Sequence, residues 1–274
     1  MKKKNNLINK IIKKCIIMLL LLSNYYLSYI IKFVSNKNSI IKIFIMTHKD
    51  FINYRYNPAY TIVADDRNEL KKYYNLSIIY ADKGKLYKLK RGYGEMSKLY
   101  YIYELYKKGI IKSKYIGLNH YRRYFNFTDD IPNLDDIFNH YDAILYTPIT
   151  SIYGMKKQYC HCVICNHYDE IINIIKDIKK DYYDAAIKTI KLKTFFICNL
   201  FIMKKYDFFK FCEFIFDVLF EFDKRHHFNS DDDVLNYIKE NYNDRKNYIY
   251  ESRVQGFLAE RLANIFYMNI ITQI

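Results

Sequence analysis

An α/β domain built on a mainly parallel sheet is the fold this sequence predicts, on three observations. Short continuous apolar runs recur along the chain, as strands covered on both faces require. Helical patterns lie between them. The residues directly after several runs are polar, and parallel sheets bind ligands beyond the carboxyl ends of their strands. The 274 residues are 51% apolar and 27% charged, enough to bury a core and too apolar for wholesale disorder. With 7 Gly, 3 Pro and no internal period, collagen-like, Pro-rich and repeat architectures are excluded. The 31 Tyr and 19 Phe accompany abundant Ile, Lys and Asn, a composition that fits an AT-rich genome better than an aromatic binding surface.

The first 40 residues form a separate leader ahead of a domain spanning 41–274. Nine of the 44 basic residues fall within residues 1–42, which hold no acid, leaving 35 basic against 29 acidic residues, a net of +6, in the rest. That even balance argues against a nucleic-acid partner. Lys14 and Lys32 bracket an uncharged stretch from Cys15 to Ile31, close to the minimum for a spanning helix. A single-span anchor, a hydrophobic helix lying in the membrane interface, a cleaved signal peptide and a buried helix all compete for it. The leading expectation is contact with a membrane surface through residues 1–40, at the cytoplasmic face, with a type II arrangement as the alternative.

Taking the elements in order, strands are expected at Ile40–Met46, Tyr60–Ala64, Ser77–Tyr80, Tyr115–Leu118, Asp142–Tyr146 and Phe195–Met203, each a short run rich in apolar and aromatic residues. Helices are expected at Gly94–Lys108, where Met96, Leu99, Tyr103 and Tyr106 share a side, at the long apolar Tyr206–Phe222, and at Val254–Tyr267, with a stripe of Phe257, Leu258, Leu262, Ile265 and Phe266. The polar strand ends are Thr47-His48-Lys49, Asp65-Asp66-Arg67, Asp82-Lys83 and Asn119-His120-Tyr121-Arg122-Arg123. No GxGxxG, GxxxxGK[ST] or HExxH occurs, so dinucleotide, P-loop and zincin readings lack their motif. In Gly117–Phe125 (GLNHYRRYF) a strand ends and offers an imidazole and two adjacent guanidiniums. Arginine binds phosphate bidentately and stays charged at any working pH, so this pair could clamp a diphosphate without a metal. Saturation of the pair by internal carboxylates is the competing reading.

These residues resemble the capsular and exopolysaccharide glycosyltransferases grouped as domain of unknown function 4422, whose hallmark is a GLxHYRRYF segment. IFIMTHKD (Ile43–Asp50) is similar to the family's opening strand, and GEMSKLYYIYEL (Gly94–Leu105) to its Glu-containing helix. QYCHCVICNHYDEI (Gln158–Ile171) occupies the place of a Tyr- and His-containing stretch. Cys198–Arg225 is similar to its NMFIMKK strand and following helix, and Glu251–Phe266 to its closing R-x-x-GFLxERL helix. Gly94 stands where the family has Cys, Tyr stands at its Trp positions, and Asn53–Tyr93 is shorter and poorly matched. The resemblance implies a GT-A-like single domain, and a hexosyltransferase-like enzyme moving sugar from a nucleoside-diphosphate sugar to a hydroxyl of a glycan or lipid-linked acceptor. The alternative is a membrane-tethered nucleotide-sugar- or glycan-binding protein lacking catalysis.

GT-A enzymes usually hold a divalent metal on the donor diphosphate through a DxD motif at a central strand end. Here that place falls to Asn119–Arg123, which implies that Arg122 and Arg123 neutralise the leaving diphosphate. No metal site is assigned, and a divalent cation, manganese or magnesium, is the alternative. His48, Asp65, Asp66 and Asp82 are the other donor-side candidates, with solvated turns as the competing reading for the acids. Glu260, His120 and Glu95 are the catalytic candidates, since transfer to a hydroxyl needs a carboxylate or its equivalent as base. An internal ion pair competes for Glu260. For Glu95 the competitor is a surface pair with Lys98 on the same helical face. His161, Asn199 and Arg253 are acceptor-side or supporting candidates. Asp231-Asp232-Asp233 reads as a turn or helix N-terminus. Of the six cysteines, Cys160, Cys162 and Cys165 have zinc-ligand chemistry with His161 and His167 but no second CxxC, so reduced thiols are expected.

Overall fold

The structure, a computed structural model, describes residues 40–51, 59–71, 76–123, 125, 132–242 and 247–272. The leader, apart from Ile40, lies outside the described residues. No helix among the described residues is long and apolar enough to cross a membrane.

The first three strands are β1 (Ile41–Met46), β2 (Tyr60–Ala64) and β3 (Ser77–Tyr80), followed by β4 (Tyr115–His120), β5 (Ala143–Leu145) and β8 (Phe201–Lys204). They form one sheet in the order β3-β2-β1-β4-β8-β5. The pairs β1–β2, β2–β3 and β1–β4 are parallel, whereas β8 runs antiparallel to both β4 and β5. Strands β6 (Ile149–Thr150) and β7 (Thr194–Phe195) make a separate two-stranded ribbon. Alternation sorts the strand side chains into two cores: Phe44, Met46, Ile116, Leu118, Phe201 and Met203 face one, Ile41, Ile43, Ile45, Tyr115 and Ile202 the other.

The chain steps from β1 outward to β2 and β3, then returns to place β4 on the far side of β1. The carboxyl ends of β1 and β4 therefore flank a topological switch point, where parallel sheets leave a crevice for ligands. Register makes it concrete: Met46 pairs with His120 and with Val63, so the residues after β1, β2 and β4 leave the sheet along one edge. Because β8 is antiparallel, its amino end reaches the same edge, with Phe201 opposite Leu118. Gly117 lies where β4 is hemmed by both neighbours. A Cβ there would sit 2.9 Å from Ile43 Cγ1 and 3.2 Å from Ile202 Cγ1.

The return to β4 runs through α1 (Lys90–Tyr93) and α2 (Glu95–Lys107). Between them Gly94 has φ +59 and ψ −125, a backbone region that side chains rarely tolerate. On α2, Met96, Leu99, Ile102, Tyr103 and Tyr106 are buried at helical spacing. The smaller core is covered by α3 (Leu134–His140), through Leu134 and Phe138. The larger one receives α4 (Met155–Cys162), α5 (Asn166–Ile178), α6 (Tyr183–Thr189), α7 (Lys205–His226), α8 (Asp231–Asn241), α9 (Tyr248–Glu251) and α10 (Val254–Thr272). The central α10 packs on α6 and α7 and carries buried Leu258, Leu262, Ile265 and Phe266.

Two sequence expectations are corrected here. Phe195–Met203 is not one strand: it breaks between β7 and β8, where Cys198 takes a left-handed conformation (φ 61) and Leu200 N–H bonds back to Cys198 O at 2.7 Å. The polar Cys198-Asn199 step interrupts the apolar run. The cysteines expected to be reduced are not all so: Cys160 and Cys165 form a disulfide that ties α4 to the start of α5, leaving Cys162 exposed and free.

Candidate functional site

A cleft of ≈ 680 Å³ opens at the switch point. His48 enters it from the end of β1, Asp65 from β2 and His120, Arg122 and Arg123 from β4. Cys198 comes from the loop before β8, Lys90 and Arg91 from α1, Glu95 and Lys98 from α2, Arg253 from the residue just before α10, and Phe257 and Glu260 from one face of α10.

The guanidiniums are the distinctive part. Arg122 lies 5.3 Å from the Tyr121 ring centroid, Arg123 Nη1 donates to Cys198 Sγ at 3.0 Å, and Arg253 lies 5.3 Å from the Phe257 centroid. None of the three bonds to a carboxylate among the described residues, so internal saturation of the arginine pair does not occur there. Their charge acts on the histidines. Burial first, then Arg122 and Arg123, lower the His120 pKa to about 4, so the ring is neutral at working pH. His120 Nδ1 accepts from the Arg122 backbone N–H at 3.1 Å, which assigns the proton to Nε2 and makes that atom a donor. The pKa of His48 is also lowered, first by removal from water and then by the Lys98 and Lys49 charges.

Two carboxylates face these cations. Glu95 opens α2, and its Oε1 accepts from Asn199 Nδ2 at 3.0 Å and from Asn199 N at 3.3 Å. Burial, then the Glu260 charge, raise its pKa above the ordinary carboxylate range. Glu260 Oε2 accepts from Arg261 Nη1 at 2.8 Å, and its Oε1 from Cys198 N at 3.3 Å. Arg261 is buried, and its Nη2 donates to Gln158 Oε1 at 2.7 Å. Asn199 is buried and holds Glu95 from behind, without lining the cleft. The competing reading of Glu95, a surface pair with Lys98, does not hold: Lys98 is buried, and its Nζ bonds to Asp65 Oδ2 at 2.6 Å. Asp65 reaches the cleft wall already neutralised, and removing either partner would cost about 3–5 kcal/mol.

The other donor-side candidates fall elsewhere. Asp66 caps the helical turn Arg67–Glu69 through Asn68 N and pairs with Lys90 at 3.1 Å, outside the cleft lining. Asp82 is exposed in a turn after β3, the sheet's edge strand, away from the switch point. His161 is exposed on α4, 4.8 Å from the Tyr153 ring, and does not line the cleft. Sequence reasoning missed Glu69, Lys90, Arg91 and Phe257 as lining residues. Asp231 begins α8, as a helix N-terminus should, and also reaches the cleft, where its carboxylate accepts from the backbone N–H of Arg91 and Gly92 at 2.9–3.0 Å. Asp233 completes a capping box with Ser230.

Asp65 and Asp66 are paired with lysines, Asp231 and Asp233 with backbone amides, and no group of three His, Cys, Asp or Glu among the described residues could hold a metal ion.

A family model described as Domain of unknown function (DUF4422) matches residues 42–270. Among solved structures, the chain is similar to the apo form of WbbM, a bifunctional glycosyltransferase, with a TM-score of 0.60 and 18% identity. The match covers 86% of this chain and 43% of that one, so the chain spans less than half of that neighbour's length. The likeness shows a shared α/β fold. No curated protein matches the chain.

Proposed function

Because the chain belongs to the family described as Domain of unknown function (DUF4422), we propose that it is a glycosyltransferase, moving a sugar from a nucleoside-diphosphate donor to a hydroxyl of a glycan acceptor in surface-polysaccharide synthesis. The observation that carries this reading is one cleft where Arg122, Arg123 and Arg253, without carboxylate partners among the described residues, face Glu95 and Glu260.

Transfer breaks the anomeric bond to the β-phosphate oxygen and forms one to the acceptor oxygen. The bonding pair leaves with the diphosphate, and charge grows on it in the transition state. Arg122 and Arg123 meet that charge in place, Arg253 lies within reach of it, and His120 Nε2–H supplies a neutral donor beside them. His48, also neutral, serves the nucleoside side. The acceptor proton goes to Glu95, whose raised pKa makes it a better base than an ordinary carboxylate. Asn199 fixes Glu95, and Arg261 fixes Glu260, which keeps the Glu95 pKa high. The leader brings the enzyme to a membrane surface where lipid-linked or polysaccharide acceptors are assembled.

A thermal-shift panel on the full-length chain tests the reading, using UDP, GDP, CMP and inorganic diphosphate, each with manganese and with EDTA. A ligand that binds only the folded state raises Tm with its saturation. A shift that survives EDTA, together with donor-sugar turnover, is expected. A shift needing manganese would move the donor site to a cation. A shift without turnover would favour a nucleotide-sugar-binding protein lacking catalysis. No shift at all would defeat the proposal.

A further inference from the structure

The α10 face that lines the cleft carries more than charge. Arg253 and Phe257 lie one turn apart, joined by the backbone bond from Phe257 N to Arg253 O at 3.1 Å. The Arg253 guanidinium rests over the Phe257 ring at 5.3 Å, and Tyr250 packs on the same ring at 5.1 Å and 49°. Ile249, 65% exposed, completes an apolar rim at the cleft mouth. Glu260 follows one turn below Phe257 on the same helix face. A flat apolar ring beside the two carboxylates suits a sugar ring: its C–H face stacks on the ring and its hydroxyls turn into the cleft, where Glu95 and Glu260 lie.

In the ligand-free protein, however, Arg253 occupies that ring. The contact is a cation–π interaction of an exposed arginine, a weak one. Arg253 shares the cleft with His120, Arg122 and His48, close enough that its charge helps to lower the pKa of both histidines. A bidentate, charge-assisted bond to a phosphate is stronger than its contact with Phe257. We propose that Phe257 is the stacking platform for the acceptor sugar ring, and that Arg253 covers it until a donor diphosphate draws the guanidinium away, so that acceptor binds after donor. The inference rests on the glycosyltransferase reading above and adds an acceptor subsite and a binding order.

Saturation-transfer difference NMR on the full-length chain tests it, with methyl glycosides of glucose, galactose and N-acetylglucosamine as probes, with and without UDP or GDP. In the wild type, ring-proton signals are expected to appear only with nucleotide. In Arg253→Ala they are expected without nucleotide, because the ring is uncovered, while the donor KM rises. Phe257→Leu, which keeps apolar bulk but no flat ring, is expected to lose the signals in both states, and Phe257→Tyr to restore them. Equal wild-type signals with and without nucleotide would overturn the binding order, and signals unchanged in Phe257→Leu would overturn the platform. Nucleotide binding with no glycoside signal in either wild type or Arg253→Ala would overturn the inference alone. Failure of every nucleotide to raise Tm would remove the glycosyltransferase reading and the inference with it.

Discussion

Arg122 and Arg123 are adjacent in sequence, yet they meet different surroundings. Arg122 is exposed over Tyr121, whereas Arg123 is half-buried against the Cys198 thiol, whose own pKa burial raises to about 11. Each is expected to lose about 10²–10³-fold in kcat on replacement by alanine, the usual cost of removing one preorganised group from developing negative charge. Far-UV circular dichroism should stay unchanged, since neither side chain bonds to a carboxylate in the fold. The carboxylate pair makes a second prediction. Glu95 must be ionised to take a proton, so kcat should fall as pH drops through a value above the ordinary carboxylate range. In Glu260→Gln the like charge is gone, and the acid limb of the remaining activity should move to lower pH. His120 titrates only near pH 4 and so contributes no limb at neutral pH. A limb unmoved in Glu260→Gln would dissociate Glu95 from the reaction.

Among the elements, the continuous apolar runs made most strands legible: Tyr60–Ala64 and Ser77–Tyr80 were readable to the residue, and α2 and α10 to within a few residues at their ends. The run at Phe195–Met203 misled because apolarity does not report a left-handed residue, and Cys198 turns the chain inside it. Gly117, the glycine of the motif, has a packing role at the centre of the sheet. Gly117→Ala would press a methyl against Ile43 and Ile202 and is expected to cost about 1–3 kcal/mol in urea unfolding. Nucleotide binding by the folded fraction should persist. The contact between α1, α7 and α10 carries a separate pH signature. Asp223 accepts from Tyr93 OH at 2.5 Å and from Gln255 Nε2 at 2.7 Å, and burial pushes its pKa up to about 6. A carboxyl raised in the folded state stabilises fully below its unfolded pKa, and that contribution is lost as pH rises through about 6. The loss is roughly 3 kcal/mol. Asp223→Asn should therefore flatten the decline of Tm between about pH 4 and 7. An identical pH profile in the variant would refute this account.

For the whole molecule, the site was legible where sequence order and spatial order coincide. His48, Asp65 and the His120–Arg123 segment follow strands that sit side by side, so reading strand ends found them. The same rule misplaced Asp82, because β3 is at the sheet's edge, a fact of strand order that no local pattern encodes. Lys90 and Arg91 escaped notice, and Asp231 was read only as a helix N-terminus, because they come together only when α8 docks on α1, across 140 residues of chain. The reversed strand β8 has a consequence for how such a site can diverge. Its Arg122 and Arg123 belong to the carboxyl end of β4, fixed by register in the middle of the sheet, while Cys198 and Asn199 arrive on a loop entering from the opposite direction. Insertions in that loop leave the pairing of β1 with β4 untouched. A change of length there would move the wall that positions the carboxylates, while the arginines at the end of β4 keep their place in the sheet.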